Sequence, residues 1–385
     1  MSGKTGKEKI IIVSTHDSLY PVRGGGALRT LGVARELQKR GRHILLIAPA
    51  GGRSELEGMP VISIAEPRKQ RSQILSTVKF ALRLLAAMAG HLSRAEAVFM
   101  HNTIAAPLMP FLARLYGFRF VLDVTDIHAE YLTVGRRNVF EKVLTPCLLS
   151  YEYFIIRSAD SVIVATEAMK KALCARRVDP AKIEVVYDSV ERRELPREKD
   201  PGAEHGIIHL GAIDRQHGVE ILVRAIPAVL RDFPQARFFF IGGGRELPAI
   251  KRLTSATGIS QACVFTDWLP CEEARRYLKK ACIGIIPRQD VFANRIITTL
   301  KIFEYWASAT AVIASALEGI REIAYNNENV LMFSPGSSGD LAEKITLLLR
   351  DARLRSSLTA RGLDAVSAYD AHKAAGRIAE NIFKA

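Results

Sequence analysis

Lys301 and Glu304 stand three residues apart in Leu300-Lys-Ile-Phe-Glu-Tyr-Trp-Ala307, a run whose apolar spacing predicts a helix. Leu300, Phe303 and Ala307 then fall on one face, and Ile297, Lys301, Glu304 and Ser308 on another. The expectation is one greasy face and one that presents a cation beside a carboxylate. The all-apolar strand Ala311–Ala314 follows, and open α/β sheets bind ligands at such strand ends. A second constellation is Gly24-Gly25-Gly26, set between the apolar run Lys9–Val13 and a helix bearing Leu28, Leu31, Ala34 and Leu37. Glycines let backbone approach a ligand, and free amides at a helix start suit an anion. This is not the dinucleotide fingerprint, because the Gly-x-Gly-x-x-Gly spacing fails and no acidic residue closes the second strand. Asp126 and His128 lie just past the strand Phe118–Leu122 and are candidate acid–base groups, histidine titrating near neutral pH. His101 ends the neighbouring strand Ala97–Met100.

These residues need a scaffold, and the chain supplies the same grammar twice. Lys9–Val13, His43–Ala48, Ala97–Met100, Phe118–Leu122, Ser161–Ala165 and Ile183–Tyr187 read as buried strands separated by helical stretches. Glu191–His205 is charged and punctuated by proline, which marks a linker. Beyond it, Gly206–Leu210, Ala236–Ile241, Ile283–Ile286 and Ala311–Ala314 repeat the pattern, with Gly242-Gly243-Gly244 after the second of them. The expected fold class is α/β: two Rossmann-like, doubly wound parallel-sheet domains, residues 1–195 and 205–369, facing a cleft.

Composition narrows the partners. The 385 residues are 48% hydrophobic and 24% charged, ordinary globular values. Fifty-four basic residues against 40 acidic ones leave +14, which favours polyanionic partners. No nucleic-acid motif accompanies that charge, so nucleic acid is not expected. The cysteines, at 147, 174, 263, 271 and 282, form no C-x-x-C pair and are expected as reduced thiols in a cytoplasmic protein. The Lys-rich start has no apolar core, which argues against a secretory signal. Residues 68–94 pattern as a basic amphipathic helix. Ile74, Leu75, Val78, Leu82, Leu85 and Met88 are ringed by Arg68, Lys69, Arg71, Lys79, Arg83 and Arg94. Val143–Ile156, behind Arg136, Arg137 and Lys142, has the same character. Both suit either a helix covering the sheet or one lying on an anionic membrane surface. No ligand spacing typical of a metal site is present, so a metal-independent protein without cofactor is expected.

At this point the residues carry a resemblance to the retaining GT-B glycosyltransferases of family 4. It covers nearly the whole chain. Its parts are the glycine loop before a helix ending Leu37-Gln-Lys-Arg-Gly41, the Leu-Gly-x-x-Asp-x-x-x-Gly run at 210–218, and Phe240-Ile-Gly-Gly-Gly244. The most specific part is Leu300–Ser315 followed by Glu318-Gly-Ile-Arg-Glu-Ile323. The resemblance implies a nucleotide-sugar donor on the C-terminal domain and a lipid-linked or glycan acceptor met by the N-terminal one. It also implies a terminal helix, 370–385, packing back on the first domain. Glu304 would bind ribose hydroxyls, and Lys301 would lie near the diphosphate. Glu318, Gly319 and Ile320 would form the turn approaching phosphate and sugar, and Gly24, Gly25 and Gly26 would complete the cradle. Three positions depart from the family. Ile296 replaces the first motif glutamate. Ala212 and His217 occupy the usual basic pair, leaving Arg215, Arg288 or Arg295 to neutralise phosphate. Thr125 stands near the usual histidine, with Asp126 retained beside it. The expected reaction is sugar transfer with retention. A noncatalytic GT-B binding or scaffold protein and a sugar-nucleotide epimerase are the alternatives.

Overall fold

The computed structural model describes residues 9–22, 24–65, 73–103, 106, 108–131 and 139–384 of the chain. Arg68, Lys69, Arg71, Arg136 and Arg137 of the two basic segments lie outside the described residues.

The first sheet holds β1 (Ile10–Thr15), β2 (Ile44–Ala48), β3 (Glu55–Leu56), β4 (Met59–Ser63), β5 (Ala95–His101), β6 (Arg119–Val124), β7 (Ser161–Val164) and β8 (Ile183–Val185). Their order is β3-β4-β2-β1-β5-β6-β7-β8, and every pair is parallel except the short β3–β4 hairpin. Strands such as Ile10-Ile-Ile-Val13 are buried along their whole length, because helices cover both faces of the sheet. Those helices are α1 (Gly25–Lys39), α2 (Gln73–Ala89), α3 (Met109–Tyr116), the short α4 (His128–Tyr131), α5 (Val139–Ser158) and α6 (Glu167–Ala175). The basic helix expected over 68–94 is therefore shorter among the described residues, and a separate turn covers Leu92–Arg94.

The second sheet orders β9 (Gly206–Leu210), β10 (Arg237–Ile241), β11 (Cys263–Asp267), β12 (Ile283–Ile286), β13 (Ala311–Ser315) and β14 (Leu331–Phe333) as β11-β10-β9-β12-β13-β14, all parallel. Around it run α7 (Val219–Asp232), α8 (Leu247–Ala256), α9 (Cys271–Arg276), α10 (Phe292–Arg295), α11 (Leu300–Ala307), α12 (Glu318–Arg321), α13 (Ser338–Arg350) and α14 (Ala352–Ala365). The last helix, α15 (Ala371–Asn381), returns to the first domain: Ile378, Ala379 and Ile382 join the core of Leu31 and Leu37 from α1.

Both crossings between the domains run side by side, with the Val190 N–H donating to the Tyr369 carbonyl (3.2 Å). Two further contacts join the domains near the cleft. Ile296 and Ile297 pack into the core cluster of the first domain, and the Thr166 hydroxyl donates to the Ile296 carbonyl. The Glu322 carboxylate accepts the free amides of Glu167 (2.8 Å) and Ala168 (2.6 Å) at the start of α6, and the Tyr187 hydroxyl (3.1 Å). An acidic group on a helix N-terminus satisfies orphan donors and meets the positive end of the dipole. Glu322→Ala is expected to lower stability by about 1 kcal/mol, the usual value of such a cap. Urea denaturation measures it, and a midpoint equal to that of the parent protein would show that the cap carries no weight.

Candidate active site

Between the two sheets lies a cavity of about 300 Å³, walled by Gly24, Gly25 and Gly26 on one side and by Lys301 and Glu304 on the other. The carboxyl ends of both sheets aim at it, as the strand order requires.

On the N-terminal wall, Gly24 adopts φ +84°, a conformation that favours glycine, and caps α1 without any side-chain bond to the helix amides. The first turn of α1 carries no acidic residue, so its amides and dipole remain available to an anion. Gly26 packs so closely on the Asp17 carboxylate and His101 Nε2 that any Cβ there would collide with both. His101 is itself held from behind. Its Nδ1 lies 2.8 Å from Asp123 Oδ2, and Arg29 of α1 donates to both oxygens of Asp123 at 2.8 and 2.9 Å. Burial opposes charge on Asp123, but Arg29 and His101 keep its carboxyl far below the usual range. Burial also resists charge on His101, yet Asp123 lifts its pKa above the ordinary value.

Asp126 lies in the cavity wall and accepts the Tyr131 hydroxyl at 2.7 Å. His128 opens α4 behind that wall, its ring edge-on to His16 with centroids 5.3 Å apart. Burial and the neighbouring His16 push it down to about 4, so it is neutral at pH 7. Of these groups His101 and Asp126 line the cavity, and His128 lies outside its lining. Thr125 also faces the cavity.

In the C-terminal wall, Ile297, Lys301 and Glu304 line the cavity from the face they were expected to share, and Leu300 of the apolar face lines it too. Every residue of α11 from Lys301 to Ala307 is buried. Tyr305 reaches β9, where its hydroxyl takes the Leu210 N–H at 3.0 Å, and Trp306 Nε1 donates to the Asn329 carbonyl at 2.9 Å. Lys301 lies beneath the turn after β9, so close that a Cβ on Gly211 would sit 2.7 Å from its Cε. Burial and the nearby Arg288 pull the Lys301 pKa down to about 7. Burial raises that of Glu304, opposed by Arg275 at 3.5 Å. Arg275 also bonds Glu194 of the interdomain segment. Arg288 donates to Asn294 Oδ1 (2.8 Å), whose amide is pinned by the Gln216 and Gln289 carbonyls (2.8 Å each).

Ala212 lines the cavity without charge, and His217 is half-buried and held neutral well below its ordinary pKa by desolvation and by Lys301. Arg288, Lys301 and Arg275 are the cations in this wall. Arg215 forms part of a short turn outside the lining, and Arg295 is a half-exposed surface partner of Asp290 (3.1 Å). Glu318 is exposed and Ile320 belongs to the core. Gly319 abuts the Ile297 carbonyl, with which any Cβ would collide. Arg29, Asp123, Arg275 and Trp268 are site residues that sequence reasoning did not single out. The half-exposed Trp268 ring at the cavity offers an aromatic face on which a planar base can stack. Among the described residues no cluster of His, Cys, Asp or Glu could hold a metal ion.

A helix N-terminus facing buried cations and a carboxylate suits a phosphorylated, hydroxyl-rich ligand. Residues 24–188 match the model of a glycosyl transferase 4-like domain, and residues 204–351 that of glycosyl transferases group 1. The GDP-mannose-dependent alpha-(1-6)-phosphatidylinositol monomannoside mannosyltransferase of Mycobacterium tuberculosis is 23% identical over 93% of this chain and 94% of its own. Among solved structures, a sucrose-phosphate synthase from Thermosynechococcus elongatus superposes with TM-score 0.79 at 18% identity, covering 97% of this chain and 98% of its own. The Anabaena protein HepE in complex with UDP-glucose superposes with TM-score 0.73 at 15% identity, covering 96% and 98%. Both halves of the chain match in order, and the chain belongs to the family 4 (group 1) glycosyltransferases of GT-B fold.

Proposed function

We propose that this protein transfers a hexose from a nucleotide-sugar to a membrane-associated or glycan acceptor, with retention at the anomeric carbon and without a metal. The observation that carries the reading is the interdomain cavity in which the free amides of α1 face Lys301, Arg288 and Glu304. Glu304 would accept ribose hydroxyls, and the cations and helix start would stabilise charge growing on the departing diphosphate. The relative named for GDP-mannose and the neighbour that holds UDP-glucose support a nucleotide-sugar donor. Retention follows if the acceptor hydroxyl attacks the face that the diphosphate leaves and gives its proton to that diphosphate. The cavity carboxylates are committed elsewhere, Asp126 to Tyr131, Asp188 to Arg29 and Glu304 to Arg275, and do not suit double displacement. The product anomer, read by NMR, is expected to match the donor; an inverted product refutes retention.

The outer face of the first domain supports a lipid-linked acceptor. Val78 and Leu82 of α2, Phe111 and Leu115 of α3 and Tyr151 of α5 are exposed apolar residues beside the exposed cations Lys79, Arg83 and Arg114. Such a face would rest on an anionic bilayer from the cytoplasmic side. No helix among the described residues is long and apolar enough to cross one. A second reading, a noncatalytic GT-B binding protein, is favoured by the uncharged positions Ala212 and His217. A panel of UDP- and GDP-sugars with membrane lipid as acceptor separates the two. Release of nucleoside diphosphate supports transfer, whereas tight donor binding without release supports the binding protein.

A further inference from the structure

Arg288 and Lys301 are buried cations, neither of which has a carboxylate at ion-pair distance among the described residues. Arg288 is 7% exposed, and its Nε–H has no partner. Its Nη1 goes to the neutral amide of Asn294 rather than to a carboxylate. Lys301 is 9% exposed, and the carboxylate one turn along the same helix, Glu304, turns to Arg275 instead. Buried ions are almost always paired, because water is a far better environment for a lone charge. Two such cations in one cavity wall, across from a helix N-terminus with free amides, form a site built for a bridging anion.

We propose that Arg288 and Lys301 replace the basic pair missing at positions 212 and 217 as the clamp on the donor diphosphate, and that Lys301 takes up a proton from solvent when the diphosphate enters. This rests on the reading of the cavity as a nucleotide-sugar site.

The surroundings of Lys301 explain the coupling. Arg288 faces it from the loop after β12, His209 from β9, His217 from the turn after that strand, Glu304 from its own helix and Asp126 across the cleft. His209 is pushed down to about 3 and His217 well below its ordinary value, chiefly by burial, so both stay neutral through the physiological range. Burial first, then Arg288, lowers Lys301 to about 7, against the opposing pull of Glu304 and Asp126. Without ligand, Lys301 is charged at pH 6 and largely neutral at pH 8.5. A diphosphate beside it favours the ammonium, so binding above pH 7 must draw one proton from solvent. Below that pH the proton is already in place. Donor affinity therefore falls by about tenfold per pH unit above pH 7.

Isothermal titration of the protein with UDP-glucose and with GDP-mannose tests this, at pH 6 and pH 8.5, each in two buffers of different ionisation heat. Their diphosphate diesters have no proton to exchange in that range. The expected uptake approaches one proton at pH 8.5 and zero at pH 6. Lys301→Arg keeps a permanent cation, so it should bind with no uptake and an affinity flat in pH. Lys301→Met should bind weakly at both pH values and also take up none. Binding by the parent protein at pH 8.5 without proton uptake overturns the coupling, as does unchanged uptake by Lys301→Arg. Failure of both nucleotides to bind at either pH overturns the donor-site reading, and this proposal with it.

Discussion

Glu304→Ala is expected to lower kcat/KM for the donor by about 100-fold or more while leaving the protein folded. Hydrogen bonds to a charged group contribute about 1.5–3 kcal/mol each, and every 1.4 kcal/mol is a factor of ten. Glu304 offers a ribose two such bonds, and the substitution also leaves the buried Arg275 with only Glu194. Because the ribose does not react, the loss should appear mainly in KM, as uniform binding lost from ground and transition states alike. Steady-state kinetics with the best donor measures it. Glu304→Gln keeps shape and one acceptor oxygen and should lose less. Turnover equal to that of the parent protein in Glu304→Ala would remove the assignment of this wall.

The largest effect on stability is expected from Arg29→Leu. Asp123 is fully buried and Arg29 nearly so, and the guanidinium also donates to the Val186 carbonyl at 3.0 Å. Removing one partner of a buried ion pair leaves an uncompensated charge and costs about 3–5 kcal/mol. Asp123 has its folded pKa depressed, so its contribution is present at neutral pH and is lost only as pH falls through that depressed value. The double variant Arg29→Leu/Asp123→Leu removes both charges and should recover a large part of the loss. Guanidinium denaturation of the three proteins checks this. A single variant as stable as the parent would mean that the pair contributes little.

Much of the architecture could be read directly because parallel strands buried on both faces write themselves as apolar runs. Ile10–Val13, Ile283–Ile286 and Ala311–Ala314 are such runs. The β3–β4 hairpin escaped notice, since two-residue Glu55–Leu56 carries no alternation to detect. Lys301 and Glu304 were legible as one face of α11, and that face lines the cavity; the burial of residues 301–307 on the other sides was not, because only the fold covers them. Gly24–Gly26 were legible as the entry to a helix, and α1 begins at Gly25. Arg29 and Asp123, 94 positions apart, were not, because only the fold brings α1 onto the end of β6. Arg275 sits in Glu272-Glu-Ala-Arg-Arg276, which looks like an ordinary solvated surface and turns inward only by docking on Glu304. Ile296, where the family carries a glutamate, sends its side chain into the core of the first domain. An apolar bond between the domains thus stands where the family places a ligand-facing carboxylate.

A nucleotide-sugar bound in this cavity against Glu304 must stabilise the folded protein, and only as long as that carboxylate is present. Melting temperatures of the parent protein and Glu304→Ala, each with the same panel of UDP- and GDP-sugars, measure that. Ligand at 100 times its Kd adds about 2.7 kcal/mol to the folded state. The prediction is that sugars on one base raise the melting temperature of the parent protein by several degrees and leave Glu304→Ala nearly unchanged. A panel that stabilises neither protein, or both equally, contradicts it.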